Sequence, residues 1–374
     1  MQTHRDIPFF NYPGLFEEDA EQYLSVMKNA LSRGAFIMQK DLLDFEQHLA
    51  DYLGCKHAIG AADGTAALIL SLRAAGVGDG DEVIVSSHTF VATAAAVHHA
   101  GATPVVCDCL SDSMMDPESA RSMITDKTKA IMPTQLNGRT CDMDALCALA
   151  DEHGLKIVED SCQALGARYK GTPAGLFGVA GSYSFYPAKT LGCFGDGGAV
   201  VTDSDEVAAM IRQMRDHGRG PDGKVTMFGH NGRLDNIQAA VLDVKLARYD
   251  AYVARRREIA ARYTERLSGI EGLLLPPGPE ADPNRFDIYQ NYEIQADRRD
   301  ALREHLSQKG VGTIIQWGGW MVHQFDDLNL RVDAPYAEEM SRRYMMLPMH
   351  HLLSDADVDH VCDAVLDFYQ RNSI

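Results

Sequence analysis

Short apolar runs and longer amphipathic stretches alternate along the N-terminal part of the chain. Over residues 41–53 the apolar side chains Leu42, Phe45, Leu49 and Leu53 recur every three or four positions, which predicts an amphipathic helix. Six shorter apolar runs predict strands. Helical patterns separate most of these runs, so we expect mostly parallel strands with right-handed crossovers. The predicted strands are Glu82–Val85, Pro104–Cys107, Lys129–Pro133, Lys156–Glu159, Gly181–Phe185 and Gly198–Thr202.

A long helical pattern follows these strands, over residues 235–267. The predicted buried side of this pattern is formed by apolar residues at helical spacing, Leu234, Ile237, Val241 and Val244. Three consecutive arginines occupy positions 255–257, and we interpret this charged run as a solvated helix face.

The C-terminal part of the chain has a different character. Prolines and a glycine over 275–279 interrupt the long helical pattern, and a β-rich segment at 289–294 precedes a helical pattern at 300–309. The sequence therefore predicts an α/β protein with two parts. We expect a large domain over 1–250, including an N-terminal arm, and a small α+β domain over 251–374.

Lys189 lies in the stretch with the most distinctive chemistry. It comes five residues after Ser184 and is followed by a glycine-rich turn that leads into the apolar run starting at Ala199. An amine at this position could form a Schiff base with an aldehyde cofactor, and the serine hydroxyl could reach a phosphate group. The alternative is a surface lysine ahead of an ordinary glycine-rich loop.

A carboxylate ends the predicted strand around Ile157 and Val158. In open parallel sheets, ligands bind at the carboxyl ends of the strands, so Asp160 is well placed to contact one. A carboxylate there could keep a pyridine nitrogen protonated, as a pyridoxal phosphate enzyme requires. The alternative is that Asp160 caps the following helix.

Two more segments fit the same kind of site. A helical pattern opens at Gly64 and Thr65, and the N-terminus of a helix is suited to a phosphate group. An ordinary capped helix would have a similar sequence. A polar loop over 229–233 runs into the long helical pattern.

Taken together and in this order, the motifs resemble those of the DegT/StrS family of pyridoxal-phosphate-dependent sugar aminotransferases. The similarity extends from about Ile7 to the C-terminus. It implies the aspartate aminotransferase type of fold (PLP fold type I), with a large, mostly parallel α/β domain and a small C-terminal α+β domain. The matching motifs are Gly64–Leu68, Gly80–Ile84, Thr89–Thr93, Glu159–Asp160, the Ser184, Lys189 and Gly197–Gly198 run, and Asn231–Leu234.

The resemblance assigns two catalytic residues and two cofactor contacts. It implies that Lys189 binds the cofactor aldehyde covalently and then moves protons between the substrate carbon and the cofactor carbon. It implies that Asp160 pairs with the pyridine nitrogen, that Phe90 stacks on the ring, and that Gln163 lies near the phenolic oxygen.

The resemblance also assigns the phosphate group and the oligomeric state. Gly64, Thr65 and Ser184 would bind the phosphate together with Asn231 of the neighbouring subunit. A residue supplied by the neighbour implies a homodimer with shared active sites.

The composition and net charge indicate which classes of binding partner this chain does not favour. Hydrophobic residues make up 45% of the 374 positions, enough for a large core. The net charge of −18, from 35 basic and 53 acidic residues, argues against nucleic acid as a partner.

Cysteine and histidine usage points to no metal site. The eight cysteines contain no CxxC pair, and the fourteen histidines form no HxH or HxxxH set. We expect His98 and His99 to lie on a helix surface. With no apolar leader and no long apolar run, the sequence predicts a cytoplasmic enzyme with reduced thiols and no membrane contact.

The substrates follow from the resemblance only in part. It implies transfer of an amino group from an amino acid, glutamate, to a keto-sugar that is linked to a nucleotide. After Gly312 and Thr313 the chain departs from the family pattern, and both of its tryptophans, Trp317 and Trp320, lie there just before His323. These three side chains are candidates for sugar or base contacts, the alternative being core packing.

Other functions on the same scaffold remain open at this point. A related sugar dehydratase would carry histidine where this chain has Lys189, which argues against that reaction. An aminotransferase that acts on a carbocyclic or other non-nucleotide ketone is harder to separate. A regulatory protein with a degenerate site is disfavoured by the complete set of cofactor residues. The sugar, the nucleotide, the position of the ketone and the stereochemistry of the new amine are left undetermined.

Overall fold

The computed structural model describes residues 6–330 and 332–371, and its largest element is a seven-stranded sheet. Helices pack on both faces of this sheet. The strands are β1 His57–Ala61, β2 Glu82–Ser86, β3 Thr103–Cys107, β4 Thr128–Met132, β5 Lys156–Asp160, β6 Arg168–Tyr169, β7 Thr172–Pro173, β8 Ala180–Ser184, β9 Gly198–Thr202, β10 Leu273–Leu274, β11 Arg285–Phe286, β12 Tyr292–Ala296 and β13 Tyr344–Leu347.

Thirteen α-helices connect and cover these strands within the described residues. Short 3-10 turns also occur at 136–138, 316–319, 322–324 and 326–328. The helices are α1 Tyr12–Glu17, α2 Ala20–Ser32, α3 Lys40–Leu53, α4 Gly64–Ala74, α5 Val91–His99, α6 Pro117–Ser122, α7 Met143–His153, α8 Asp205–Met214, α9 Asn236–Leu246, α10 Tyr249–Leu267, α11 Arg299–Gln308, α12 Pro335–Ser341 and α13 Asp355–Arg371.

The order of strands in the large sheet is β1-β9-β8-β5-β4-β2-β3. Strands β3, β2, β4, β5 and β8 pair in parallel, whereas β9 pairs antiparallel with both β8 and β1. The chain between β8 and β9 contains no helix, so it returns directly and the two strands pair antiparallel. A mostly parallel sheet is therefore confirmed, with β9 as the exception.

The six predicted strands are confirmed, each within one residue at either end. The predicted helix over 41–53 is α3, and its Leu42, Phe45 and Leu49 are completely buried. Strand β1 was not predicted, because its sequence HAIGA contains mainly small residues and little β-branched character.

The prediction of one long helix over 235–267 is wrong. This segment consists of α9 and α10, separated at Ala247 and Arg248. Arg248 has a non-helical backbone (φ −113°, ψ 3°), and its guanidinium pairs with Asp19 and Gln22 in the N-terminal region of the chain. These partners lie more than 220 residues away along the chain, so the local pattern gave no sign of the break.

The interpretation of the arginine run is wrong for its middle member. Arg256 is only 5% exposed and donates through Nη1 to the carbonyl oxygens of Tyr289, Gln290 and Met349. Its neighbours Arg255 and Arg257 are only partly buried and pair with carboxylates. The three side chains point in different directions around α10, so a run of like charges did not form one solvated face.

A second, three-stranded sheet of order β10-β12-β13 packs with α10, α11 and α13. Ile7, near the start of the chain, belongs to the same apolar core and pairs with Val311. The division proposed at residue 250 falls in the first turn of α10 and stays a prediction.

Three observations bear on the environment of the chain. All eight cysteines are free thiols. Within the described ranges, no helix is both long and apolar enough to cross a membrane, and no three His, Cys, Asp or Glu side chains are grouped to hold a metal ion. His98 and His99 are exposed at the end of α5, as predicted.

Candidate active site

The carboxyl ends of five strands, β1, β2, β4, β5 and β8, point toward one cleft. These strands run in the same direction, so the loops that follow them converge at one edge of the sheet. The cleft has a volume of about 1480 Å³, including its opening to solvent. Its lining includes Asp63, Gly64, Thr65, Thr89, Phe90, Thr134, Asp160, Cys162, Gln163, Ser184, Tyr186, Lys189, Asp196 and Trp317.

Lys189 lies on the loop that follows β8, and the backbone around it is fixed by Gln290, in the segment just before β12. Gln290 Nε2 donates to the carbonyl of Ala188 at 2.9 Å, while its Oε1 accepts from the backbone N–H of Thr190 at 2.7 Å. Burial lowers the pKa of the Lys189 amine, although the nearby Cys162 and Asp160 oppose this shift. The backbone is therefore held on both sides of Lys189, and the buried amine loses its proton more readily than that of a lysine in water.

Asp160 ends β5 at the floor of the cleft and is 4% exposed. Its Oδ2 accepts from Thr93 Oγ1 at 2.6 Å, and its Oδ1 accepts from the backbone N–H of Cys162 at 3.2 Å. The Thr93 hydroxyl in turn lies 2.7 Å from that of Thr89, which lies 2.9 Å from that of Thr134. A chain of three hydroxyl groups therefore fixes the orientation of this carboxylate.

The N-terminus of α4 lies directly beside Ser184. A Cβ atom at Gly64 would come within 2.8 Å of Ser184 Cβ and 3.1 Å of Ser184 Oγ, so only glycine allows the two segments to approach this closely. Asp63 caps the helix by accepting from the backbone N–H of Ala66 at 2.8 Å. The first N–H groups of α4, Thr65 and Ser184 thus form a compact cradle with donors suited to an anion.

Phe90 and Gln163 both line the same cleft. Phe90 immediately precedes α5 and is 49% exposed, so one face of its ring is open to the cleft. Gln163 is held by the backbone N–H of Asn137, which donates to its Oε1 at 2.9 Å. The structure therefore brings together seven of the predicted cofactor residues: Gly64, Thr65, Phe90, Asp160, Gln163, Ser184 and Lys189.

Four further predicted residues have different positions. Trp317 lines the cleft, with its ring centroid 5.9 Å from that of Phe90. Trp320 and His323 are not among the lining residues: Trp320 is 54% exposed, and His323 is buried. Asn231 is exposed on the loop before α9, outside the cleft of its own chain.

Thr93 gives a direct test of the hydroxyl chain. We expect Thr93→Val to lower kcat by about tenfold to a hundredfold, because a hydrogen bond to a charged group contributes about 1.5–3 kcal/mol. Thr93→Ser should retain most of the rate. The measurement is steady-state turnover together with the thermal midpoint of each variant.

Thr140→Val is the matched control for this substitution. Thr140 is also fully buried, and its hydroxyl has no hydrogen-bond partner in the part of the chain that the structure describes. An equal loss of rate in Thr140→Val, or no loss in Thr93→Val, would contradict a role for Thr93 in orienting Asp160.

Comparison with known proteins identifies this architecture. A model of the DegT/DnrJ/EryC1/StrS aminotransferase family matches residues 17–366. The chain belongs to this family. It is therefore an aminotransferase, and its cofactor is pyridoxal 5′-phosphate.

Several similar proteins match almost the full chain. It is 38% identical over 371 residues to the dTDP-3-amino-3,4,6-trideoxy-alpha-D-glucose transaminase of Streptomyces venezuelae, covering 98% of this chain and 97% of that one. It is 35% identical over 340 residues to the UDP-2-acetamido-2-deoxy-3-oxo-D-glucuronate aminotransferase of Pseudomonas aeruginosa, covering 91% and 94%. The crystal structure of S. venezuelae DesV in complex with a ketimine intermediate matches with a TM-score of 0.94 and 38% identity, covering 98% and 99%.

The cleft of this aminotransferase fits its cofactor. The close approach of Gly64 to Ser184 provides a cradle for a phosphate, and Asp160 is a carboxylate whose orientation is already fixed in the same cleft. A desolvated lysine and the open face of Phe90 lie in the same cleft. These groups supply what a phosphorylated pyridine aldehyde requires: an anion site, a carboxylate partner for the protonated ring nitrogen, a nucleophilic amine and an apolar surface.

Proposed function

We propose that this enzyme transfers the amino group of an amino acid, glutamate, to the ketone carbon of a nucleotide-linked sugar in amino-sugar biosynthesis. The observation that carries the proposal is the convergence of Lys189, Asp160 and the phosphate cradle in one cleft that opens toward aromatic side chains. The printed activities of the S. venezuelae and P. aeruginosa relatives, both on nucleotide-linked sugars, support it. Free thiols throughout agree with a cytoplasmic location.

Different residues of the chain bind the cofactor, orient it and move the proton. When bound, pyridoxal phosphate supplies an aldehyde that carries the amino group and a ring that withdraws electrons from the reacting carbon. Lys189, made more readily neutral by burial, accepts and returns the proton at the reacting carbon. Asp160, oriented by Thr93, holds a proton on the ring nitrogen. The first turn of α4 and Ser184 anchor the phosphate.

The aromatic lining of the cleft is suited to a sugar. Phe90, Tyr186 and Trp317 all line the cleft, and Tyr186 is 52% exposed. Exposed aromatic faces bind the apolar faces of sugars and nucleobases. Trp317 therefore contributes to the wall against which we expect the acceptor to bind.

A substrate screen tests the proposed function. Enzyme loaded with pyridoxal phosphate is incubated with L-glutamate and a panel of dTDP- and UDP-linked 3-keto and 4-keto sugars. The amino sugar and 2-oxoglutarate are then quantified by mass spectrometry. We expect equal amounts of both products with at least one nucleotide-linked sugar. Turnover of a carbocyclic ketone alone, or loss of water from the sugar without incorporation of nitrogen, would contradict the proposal.

Trp317 should affect only one half of the reaction. We expect Trp317→Ala to lower the rate of the half-reaction with the keto-sugar by about 2- to 12-fold, since an aromatic contact contributes about 0.5–1.5 kcal/mol. The half-reaction with glutamate should change little, because the small donor contacts mainly the cofactor end. Stopped-flow absorbance of the bound cofactor measures the two half-reactions separately. Equal damage to both would contradict the assignment.

We also propose that the enzyme is a homodimer with shared sites. Large apolar side chains are exposed on α2, α3 and the segment between them, which is typical of a surface covered by another chain. The exposed Asn231 is then free to reach the phosphate in the partner's cleft. The exposed apolar residues of this region are Leu24, Leu31, Phe36, Ile37, Met38 and Leu43.

Mixed dimers test the sharing of sites. Asn231→Asp places a carboxylate against the partner's phosphate and should weaken cofactor binding, while Lys189→Ala removes the reactive amine. A heterodimer of these two variants retains one intact site of two, so an equimolar exchanged mixture should recover about a quarter of the parent activity. Activity is assayed after subunit exchange. A mixture no more active than its separate components, or a fully active monomer, would contradict shared sites.

A further inference from the structure

A histidine that follows a strand of the large sheet and a glutamate on the second sheet are buried in contact with each other. His88 follows β2, whereas Glu293 lies on β12, 205 residues further along the chain. The His88 side chain is completely buried and that of Glu293 is 4% exposed. His88 Nε2 lies 3.1 Å from Glu293 Oε1 and 3.2 Å from Oε2. Neither residue lines the cofactor cleft.

The glutamate is well supplied with hydrogen bonds. Ser113 Oγ donates to Glu293 Oε1 at 2.8 Å, and Asn137 supplies a further hydrogen bond. Burial alone raises the pKa of this carboxyl group. The charge and hydrogen bond of His88, together with the bonds from Ser113 and Asn137, outweigh burial and hold the pKa below its usual value. The orientation of the carboxylate is thus fixed, and the carboxylate in turn holds the His88 imidazole in place.

The imidazole in turn contacts the aromatic wall of the cleft. Its ring lies 5.5 Å from the Trp317 ring and 5.0 Å from the Tyr344 ring, both in edge-to-face geometry. Its second nitrogen, Nδ1, lies 3.1 Å from Met321 Sδ. His88 is therefore held by Glu293 on one side and presents its ring to Trp317 on another.

The segment around Trp317 needs such support. Trp317 has a left-handed backbone (φ 52°), which is unfavourable for a bulky residue, and the next two residues, Gly318 and Gly319, also have positive φ. A backbone of this kind persists only where its surroundings fix it. Two neighbours do so here: the His88 ring, and the Tyr344 hydroxyl, which donates to the carbonyl of Gln316 at 2.6 Å.

We propose that His88 and Glu293 are positioning residues for the acceptor half of the reaction. Glu293 orients the His88 imidazole, and the imidazole fixes the Trp317 ring beside Phe90, at the wall where the keto-sugar binds. The inference that the wall serves a keto-sugar rests on the proposed function. The inference that His88 fixes Trp317 does not, and it can be tested without any substrate.

Tryptophan fluorescence of the cofactor-free protein provides that test. The chain has only two tryptophans, so Trp320→Phe leaves Trp317 as the single reporter. In this background we expect His88→Leu to raise the acrylamide quenching constant of Trp317 by about twofold, since a released segment opens more often to solvent. Glu293→Gln should act in the same direction. His88→Gln, which keeps an N–H donor toward Glu293, should recover part of the protection.

The half-reactions test the consequence for catalysis, in protein that retains both tryptophans. We expect His88→Leu to raise KM for the keto-sugar by about tenfold, with a smaller change in kcat and little change in the glutamate half-reaction. Glu46→Gln is the matched control. Glu46 forms another buried ion pair, with Arg215, and accepts from the backbone N–H of Gly60 at 2.8 Å, away from the cleft. It should lower the thermal midpoint without a selective loss of the acceptor half-reaction.

The outcomes are distinguishable. Unchanged quenching of Trp317 in His88→Leu, or the same increase in Glu46→Gln, would overturn the proposal, since the pair would then act only on general stability. If quenching rises in His88→Leu but not in Glu46→Gln, and His88→Leu slows both half-reactions equally, the assignment of the pair to the acceptor half-reaction would be overturned. If the parent enzyme aminates no nucleotide-linked keto-sugar, the proposed function fails, while the quenching comparison still decides whether His88 fixes Trp317.

Discussion

Replacing Lys189 by alanine should abolish multiple turnover, with a loss of roughly 10⁴-fold or more. Among residues 6–330 and 332–371, no other lysine lines the cleft, and the backbone on both sides of Lys189 is held by Gln290. The amine is thus the only cleft group that can both bind the cofactor covalently and exchange the proton at the reacting carbon. The visible absorption band of the bound cofactor should also shift. Both effects are measured on purified enzyme by steady-state assay and absorption spectroscopy.

Two variants separate the chemistry of this lysine from its charge. Lys189→Arg keeps a cation but lacks a nucleophilic amine, so it should be as inactive as the alanine variant. Lys170→Ala removes an exposed lysine that pairs with Asp144 on the surface, and it should retain the parent rate. Full multiple turnover in Lys189→Ala would contradict the assigned role.

Replacing Asp160 by asparagine should lower kcat by about a hundredfold to a thousandfold, the range seen when one preorganised electrostatic group is removed from a site. The amide is nearly the same size and can still accept the hydrogen bond from Thr93, so the fold should be retained. It carries no charge, and therefore cannot hold the proton on the ring nitrogen. The measurement is kcat for each half-reaction, with the thermal midpoint as control.

The comparison between the two half-reactions sharpens this prediction. Asp160 acts on the cofactor ring, which serves both halves, so both should slow to a similar extent. This differs from the selective effect expected for Trp317. A rate close to that of the parent would make Asp160 only a structural group at the end of β5.

The positions of Asp160 and Lys189 could be predicted because each depends on local signals, whereas Phe90 and Gln163 were expected only from the family resemblance. Asp160 follows an apolar run that ends in carboxylates, and Lys189 lies between a serine and a glycine-rich turn. Because parallel strands place their carboxyl ends together, identifying the strands was enough to expect these residues in one cleft. Their catalytic roles remain predictions until the variants are measured.

Other residues of the site carry no local signal. His88 and Glu293 are 205 residues apart, and neither stands in a pattern that indicates a buried pair. Gln290 reaches the Lys189 loop from 100 residues away. Only the folded arrangement brings these partners together, so pattern analysis of one sequence missed them.

The directions of the two tryptophan side chains also could not be predicted from the sequence. Trp317 and Trp320 are three residues apart and were predicted together, yet only Trp317 lines the cleft. The left-handed turn over Trp317 and Gly318 sends the two side chains in different directions. A backbone conformation that is rare for tryptophan could not be inferred from residue types.

We expect Lys189 to bind the cofactor covalently in this cleft. Borohydride reduction of the purified holoenzyme converts the carbon–nitrogen double bond between cofactor and lysine into a stable single bond. Proteolysis and tandem mass spectrometry then locate the modified residue. We predict one pyridoxyl phosphate group per chain, on Lys189. A modification on another lysine, or none in an enzyme that remains active, would contradict the account.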